Sequence, residues 1–212
     1  MNEIIGKALI ETLEMVFVST TFSVILGFIP AIILTITASD GLKPNKIIYT
    51  ILDLIVNTLR SFPFIILMVV IIPLTRIIVG KSIGTEAAMV PLTIAAAPFV
   101  ARVIESSLRE VDKGVIEAAK SFGASNTQII FKVMLKEAIP SIMSGITLTI
   151  ISIVGYSAMA GAVGGGGLGQ VAISYGYQRF QTDVMIVTCI ILIIVVQGLQ
   201  FLGNYFYNKL SK

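Results

Sequence analysis

Residues able to do chemistry are sparse in this chain and fall in three short stretches. Asp53, Asn57 and Arg60 recur at i, i+4 and i+7, a spacing that puts all three on one helix face. EAAKSFGA (Glu117–Ala124) is a short helix-forming segment with a charge at each side and a glycine where the helix would stop. GAVGGGGLGQ (Gly161–Gln170) is rich in glycine. None of the three reads as a catalytic constellation. The glycine run lacks the Lys-Ser/Thr pair with which a phosphate loop holds nucleotide and metal. Histidine is absent, which removes the commonest metal ligand and the usual proton shuttle. The one cysteine, Cys189, lies in an apolar run; it permits no disulfide within the chain and reads as a small buried hydrophobe. No catalytic residue and no metal site are expected. Binding, gating and the transmission of force remain.

The elements that must position these stretches are very apolar. Of 212 residues, 56% are hydrophobic and 13% charged, with mean hydropathy +0.96, against about 45–50% and about 25% in soluble domains. Lipid has to be the solvent for much of the chain. The net charge of +3 is too small to suggest nucleic acid, which is not expected as a partner. Glu3, Lys7, Glu11 and Glu14 give no basic leader, and the apolar run that follows exceeds the roughly 7–15 residues of a signal peptide's hydrophobic region. It reads as a retained span.

A bilayer core needs roughly 20 mostly apolar residues per helix. Five stretches qualify: 15–38, 47–72, 87–108, 138–160 and 183–205. They predict an all-α integral membrane protein, a single transmembrane domain over 1–212. SDGLKPNK (Ser39–Lys46) and GKSIGTE (Gly80–Glu86) carry turn chemistry between spans. If the loop after the first span, the segment 109–137 and the C-terminal tail share a side, that side holds Lys43, Lys46, Arg109, Lys113, Lys120, Lys132, Lys136, Lys209 and Lys212. The other holds only Lys7, Arg76, Lys81 and Arg179. The basic side is predicted to be cytoplasmic, with the N-terminus outside and the C-terminus inside.

Polar groups at membrane depth face protein or water rather than lipid. The Asp53–Asn57–Arg60 stripe is therefore either part of a path or an interfacial turn before a span that starts near Phe62. Pro63 and Pro73 are expected to kink this second span. Gln197, Gln200 and Asn204 form another stripe on the last span, read as interhelical hydrogen bonding, with Gly198 allowing close approach.

In the segment between the third and fourth spans, Asp112 is a plausible N-cap, with Val111 and Ile116 spaced as a hydrophobic staple. Gly123 falls where a left-handed residue ends a helix, and Ser125 with Gln128 makes a capping box for a second helix. That helix has Ile129, Ile130, Val133 and Met134 on one stripe, read as its exposed face. A DNA-reading helix-turn-helix is disfavoured, because the segment is too short for a supporting core and its second helix offers isoleucines rather than Arg, Asn or Gln. A structural elbow or a knob offered to a cytoplasmic partner remains. The glycine run reads either as a flexible outer loop or as a re-entrant, tightly packed outer gate. In the second reading Gly161 and Gly164 shape the gate, with Tyr156, Ser157 and Met159 just below it on the path.

EAAKSFGASNTQIIFKVML resembles the EAA loop of binding-protein-dependent ABC importer permeases, whose pattern is E-A-A, three residues, G, nine residues, then I-x-L-P. Glu117, Ala118, Ala119 and Gly123 match, and Val133 and Leu135 fit the apolar end. Lys136 stands where the family has proline, and Pro140 follows four residues later. RSFPFIIL (Arg60–Leu67), VPLTIAAAPFVAR (Val90–Arg102) and VGYSAMAGAVGGGGLG (Val154–Gly169) are similar to the permease subunits of bacterial methionine importers. The resemblance implies the type I ABC importer permease fold in the bacterial cell membrane. Glu117, Ala118, Ala119, Ser121, Gly123 and Ala124 would couple to an ATPase. Asn57, Arg60, Ser61, Tyr156, Ser157, Met159, Gly161 and Gly164 would belong to the path or gate. The implied partners are a second copy of the chain, two cytoplasmic ATP-binding subunits that carry ATP and Mg2+, an extracytoplasmic binding lipoprotein, and methionine. This chain itself would bind no cofactor. Alternatives are the same machine with another amino acid or small hydrophobic solute, or an ion-driven secondary transporter. The latter would show inverted repeats, discontinuous helices and buried acids near the midplane; no repeat is visible in the sequence, and the acidic residues mostly sit at span ends.

Overall fold

The computed structural model describes residues 2–211, and among them every regular element is helical. Helix α1 (Asn2–Thr37) runs unbroken for 36 residues, about 54 Å at 1.5 Å per residue. It therefore starts well before the expected span at Met15 and outreaches a bilayer core of about 30 Å.

The second expected span is not one helix. Helix α2 (Lys46–Arg60) begins on Asn45, whose side chain accepts from the amides of Ile47 and Ile48. It ends at Ser61, and α3 (Phe64–Val70) leaves at a bend of 100°. A further helix, α4 (Ile72–Val79), completes the segment. Pro63 is the N-cap of α3 and Pro73 lies in the first turn of α4, where a missing N–H leaves no intrahelical bond unmade. The prolines start new helices rather than kinking an old one. Four helices are long and apolar enough to cross a membrane, and five spans result if α2 and α3 count as one broken span.

Helix α5 (Thr85–Arg109) is central, and a short helix α6 (Lys113–Ser121) follows it. Then α7 (Asn126–Gln128), a π-helical turn (Ile129–Met134) and α8 (Leu135–Gly161) run as one helix from Asn126 to Gly161. The sequence predicts a second elbow helix separate from a span starting near Ala138, whereas the two are continuous. With Lys136 rather than proline after Leu135, nothing stops the helix there. Helix α9 (Gly167–Val171), a second π turn (Ala172–Tyr177) and α10 (Thr182–Leu210) end the chain.

Lipid is as apolar as leucine, so helices associate here through close packing of small residues rather than through the hydrophobic effect. Gly27 of α1 lies against α5, where a Cβ would stand 2.6 Å from the Ala97 carbonyl oxygen and 2.9 Å from the Ala101 nitrogen. Gly145 of α8 meets Val103, and Gly203 of α10 meets Thr147. Gly203, not Gly198, brings the last helix close; a Cβ on Gly198 would meet open space. Gln200 donates to Asn204 at 3.0 Å within α10 itself rather than across helices. Cys189 is exposed, not buried, because α10 packs along one side only and leaves most of its apolar surface free.

The molecule has two distinct ends. Asp40, Arg109 and Lys113 meet at one, which we call the elbow end, and Tyr207 near the C-terminus shares a cavity there with Glu110 and Asp112. At the other, the glycine end, the Gly84 amide bonds the Gly164 carbonyl at 2.9 Å.

Candidate functional site

The elbow is built from local chemistry. Asp112 accepts from the amides of Gly114 at 2.7 Å and Val115 at 3.3 Å, which satisfies orphan donors of α6. Val111 is buried and Ile116 half-buried in one cluster, as a staple requires. At the far end Gly123 has φ +78°. The Ala124 amide bonds the Ala119 carbonyl at 3.1 Å and the Gly123 amide bonds that of Lys120 at 2.9 Å, the two bonds of a Schellman motif. A Cβ on Gly123 would meet nothing within 4 Å, so conformation alone demands glycine. The Ser125 amide then donates to Gln128 Oε1 at 2.8 Å, and the Gln128 amide to Ser125 Oγ at 3.3 Å. Both corners of the elbow are thus fixed by local hydrogen bonds, and those between Ser125 and Gln128 are reciprocal.

No residue of α6 is buried. Ala119 and Ala124 pack on the chain's own core, whereas Glu117, Ala118, Ser121 and Gly123 face outward with Phe122, which is 91% exposed. The stripe of Ile129, Ile130 and Met134 faces inward: all three are buried, so it belongs to the elbow's foundation and not to its exposed face.

Behind the elbow lies a charge network that the sequence reading missed. Arg102 reaches Asp53 at 2.6 Å and Glu105 at 2.7 Å, and also donates to Asn57 at 3.0 Å. Glu105, 2% exposed, accepts from the Tyr49 hydroxyl at 3.3 Å and lies 3.7 Å from Arg109. Arg109 pairs with Asp40 at 3.1 Å, and Asp40 lies 3.7 Å from Lys113, the first residue of α6. The polar face of α2 is therefore tied through α5 to the root of the elbow. The readable signal was that Arg102, Glu105 and Arg109 share one face at i, i+3 and i+7, with complementary charge to the α2 stripe.

The residues read as path or gate lie in two groups. Asn57, Arg60 and Ser61 cluster on the exposed surface just before the 100° bend. The Ser61 hydroxyl donates to the Asn57 carbonyl at 2.8 Å, and the Arg60 guanidinium stands 5.7 Å from the Phe99 ring centre. Tyr156 lies on the far side of the bend, where its ring stacks on that of Phe64, the first residue of α3, at 4.9 Å. Met159 is 47% exposed at the glycine end. Ser157 does not join either group: it is 1% exposed and bonds the Val154 carbonyl of its own helix.

Gly161 abuts the backbone of Gly169 and Gln170, and Gly169 that of Ala158. The glycine run is thus a tight helical hairpin rather than a loose loop. Its returning helix is capped from α1: the Gly167 amide donates to Glu11 at 2.8 Å and the Leu168 amide to Thr12 at 2.9 Å.

The model of a family described as "Binding-protein-dependent transport system inner membrane component" matches residues 23–212. A protein of Vibrio cholerae serotype O1 named "Probable D-methionine transport system permease protein MetI" is 49% identical over 210 residues, 99% of this chain and 93% of that one. "Methionine import system permease protein MetP" of Bacillus subtilis strain 168 is 44% identical over 180 residues, 85% of this chain and 81% of its own. Among solved structures, a chain from "Inward facing conformations of the MetNI methionine ABC transporter", in its native crystal form, superposes with TM-score 0.98 at 44% identity. The match covers 100% of this chain and 98% of that one.

Proposed function

Since the chain belongs to the family of binding-protein-dependent transport system inner membrane components, we propose that it is the membrane-spanning subunit of an ATP-driven methionine importer. The names of its relatives support the cargo. Two copies would enclose the path between them, with one ATPase subunit on each elbow and a binding protein delivering substrate at the glycine end. The elbow end carries most of the Lys and Arg, which favours placing it in the cytoplasm.

The observation that carries this reading is the elbow. A helix braced by an N-cap, a Schellman turn and a capping box cannot deform locally, so a push on its outward face is passed to α5 and α8. Glu117, Ala118, Ser121 and Gly123 lie on that face. The charge network joins the root of the elbow to α2 and its bend, so the same push reaches Asn57, Arg60 and Ser61. Alternating access would follow: ATP draws the two elbows together and opens the glycine end, and hydrolysis resets the cavity inward.

The test is uptake of labelled methionine by proteoliposomes holding this chain, its ATPase and its binding protein. Uptake should require all three and ATP. Uptake that persists without ATP would favour an ion-driven carrier.

A further inference from the structure

We propose that the cavity between α3, α4 and the glycine turn is a transient site for the carboxylate and side chain of an apolar amino acid; this rests on the importer reading above. The cavity measures about 280 Å3, just below the roughly 300–1,000 Å3 of small-molecule sites. That size suits a single amino acid better than a lipid with its acyl chains. Met68 and Ile72, Ala88 and Pro91 of α5, and Val163 of the glycine turn give it an apolar lining.

The polar groups are few and gathered. Arg76, Thr75 and Ser82 also line the cavity. Arg76 Nε donates to the Ser82 hydroxyl, which ties the guanidinium to the rim. Among the described ion pairs Arg76 has no carboxylate within 4.0 Å, whereas neighbouring Lys81 is taken by Glu86 at 2.8 Å. Thr75 is 3% exposed. The arrangement is an exposed guanidinium beside an apolar slot, held by Ser82 and with its Nη groups unpaired to any carboxylate among the described residues. It suits a carboxylate bound in bidentate fashion with its thioether tail against Met68. Soft, polarizable contacts of this kind hold without locking, as a waypoint requires. Among the described residues no aspartate or glutamate lines the cavity, so a substrate would be read by its carboxylate and tail rather than by its amino group.

The position fits a waypoint. Ile83, Gly84 and Gly165 close the cavity at the glycine end, where substrate would arrive. Opening of the glycine turn would alter the same walls that hold the ligand, so occupancy and gating would be linked.

The test uses the complete transporter in lipid nanodiscs, with Cys189→Ser removing the native thiol and Ile83→Cys, at the exposed rim, reporting occupancy through its rate of maleimide labelling. At about three times its Kd, methionine should slow labelling about fourfold, since only the empty site reacts. Methioninol, which lacks the carboxylate, and alanine, which lacks the tail, should not protect at the same concentration, and Arg76→Gln should abolish protection by methionine. Wild-type uptake is measured in parallel. Normal uptake with unprotected Ile83→Cys, or protection that follows anionic lipid content instead of methionine, overturns the cavity assignment alone. Absence of wild-type uptake overturns the importer reading instead.

Discussion

Arg102 of α5 and Asp53 of α2 meet at 2.6 Å across two helices, with the Glu105 carboxylate on the other side of the guanidinium at 2.7 Å. One cation thus holds two anions, one of them 2% exposed. Removing it would leave Glu105 with the Tyr49 hydroxyl at 3.3 Å and, as its remaining cation, the Arg109 guanidinium at 3.7 Å. Arg102→Gln should therefore destabilise the solubilised transporter by about 3 kcal/mol, the scale for stranding a buried charge. Asp53→Asn should cost much less, because Asp53 is 32% exposed and keeps a hydrogen-bonding group. Thermal unfolding in detergent measures both. Equal small losses would mean that the network is ornamental.

Gly123 is required by its φ of +78° rather than by crowding. Gly123→Val should cost roughly 1–2 kcal/mol locally, too little to prevent membrane insertion, yet should tilt α6 and abolish uptake. Gly123→Asn, which tolerates the left-handed region, should retain part of it. Uptake normalised to membrane-inserted protein gives the answer, and a valine variant that transports normally would remove the elbow from the mechanism.

The Gly27 seam sets the distance between α1 and α5. Gly27→Leu would drive a side chain into the Ala97 carbonyl, and relief requires the two helices to separate. Misassembly is expected, seen as loss of a monodisperse peak on size exclusion. Gly198→Leu, facing open space on α10, should have no such effect.

Glu11 and Thr12 lie ahead of the matched family range of 23–212, yet they cap the returning helix of the glycine hairpin. Glu11→Ala with Thr12→Val strands two amides, at about 2 kcal/mol for a charge-assisted bond. Hydrogen exchange at Gly167 and Leu168 should accelerate by more than tenfold while the α5 core stays protected. Unchanged exchange there would show that the cap is idle.

The legible parts of this fold were those written in neighbouring residues. The Asp112 cap, the Gly123 turn and the Ser125–Gln128 box all depend on contacts within five residues, and the structure has each of them. The α2 stripe was visible too, but its partner Arg102 lies 49 positions away, and spacing along one helix cannot name a partner on another. Pro63 announced a disturbance without its size, since a proline that kinks a helix and one that begins a new helix look alike in sequence. Apolar surfaces were the least readable. Ile129 and Ile130 are buried while the region of Cys189 is exposed, because in a membrane protein lipid-facing and core-facing residues have the same composition.

The central claim is that nucleotide in a partner subunit moves the elbow. The direct measurement places spin labels on Ser121→Cys in a Cys189→Ser background, one in each copy of the reconstituted transporter, and reads the distance between them. The account predicts a shorter distance with ATP trapped than without nucleotide, and no shortening in Gly123→Val. A distance that stays constant through the ATP cycle, in vesicles that still accumulate methionine, would contradict it.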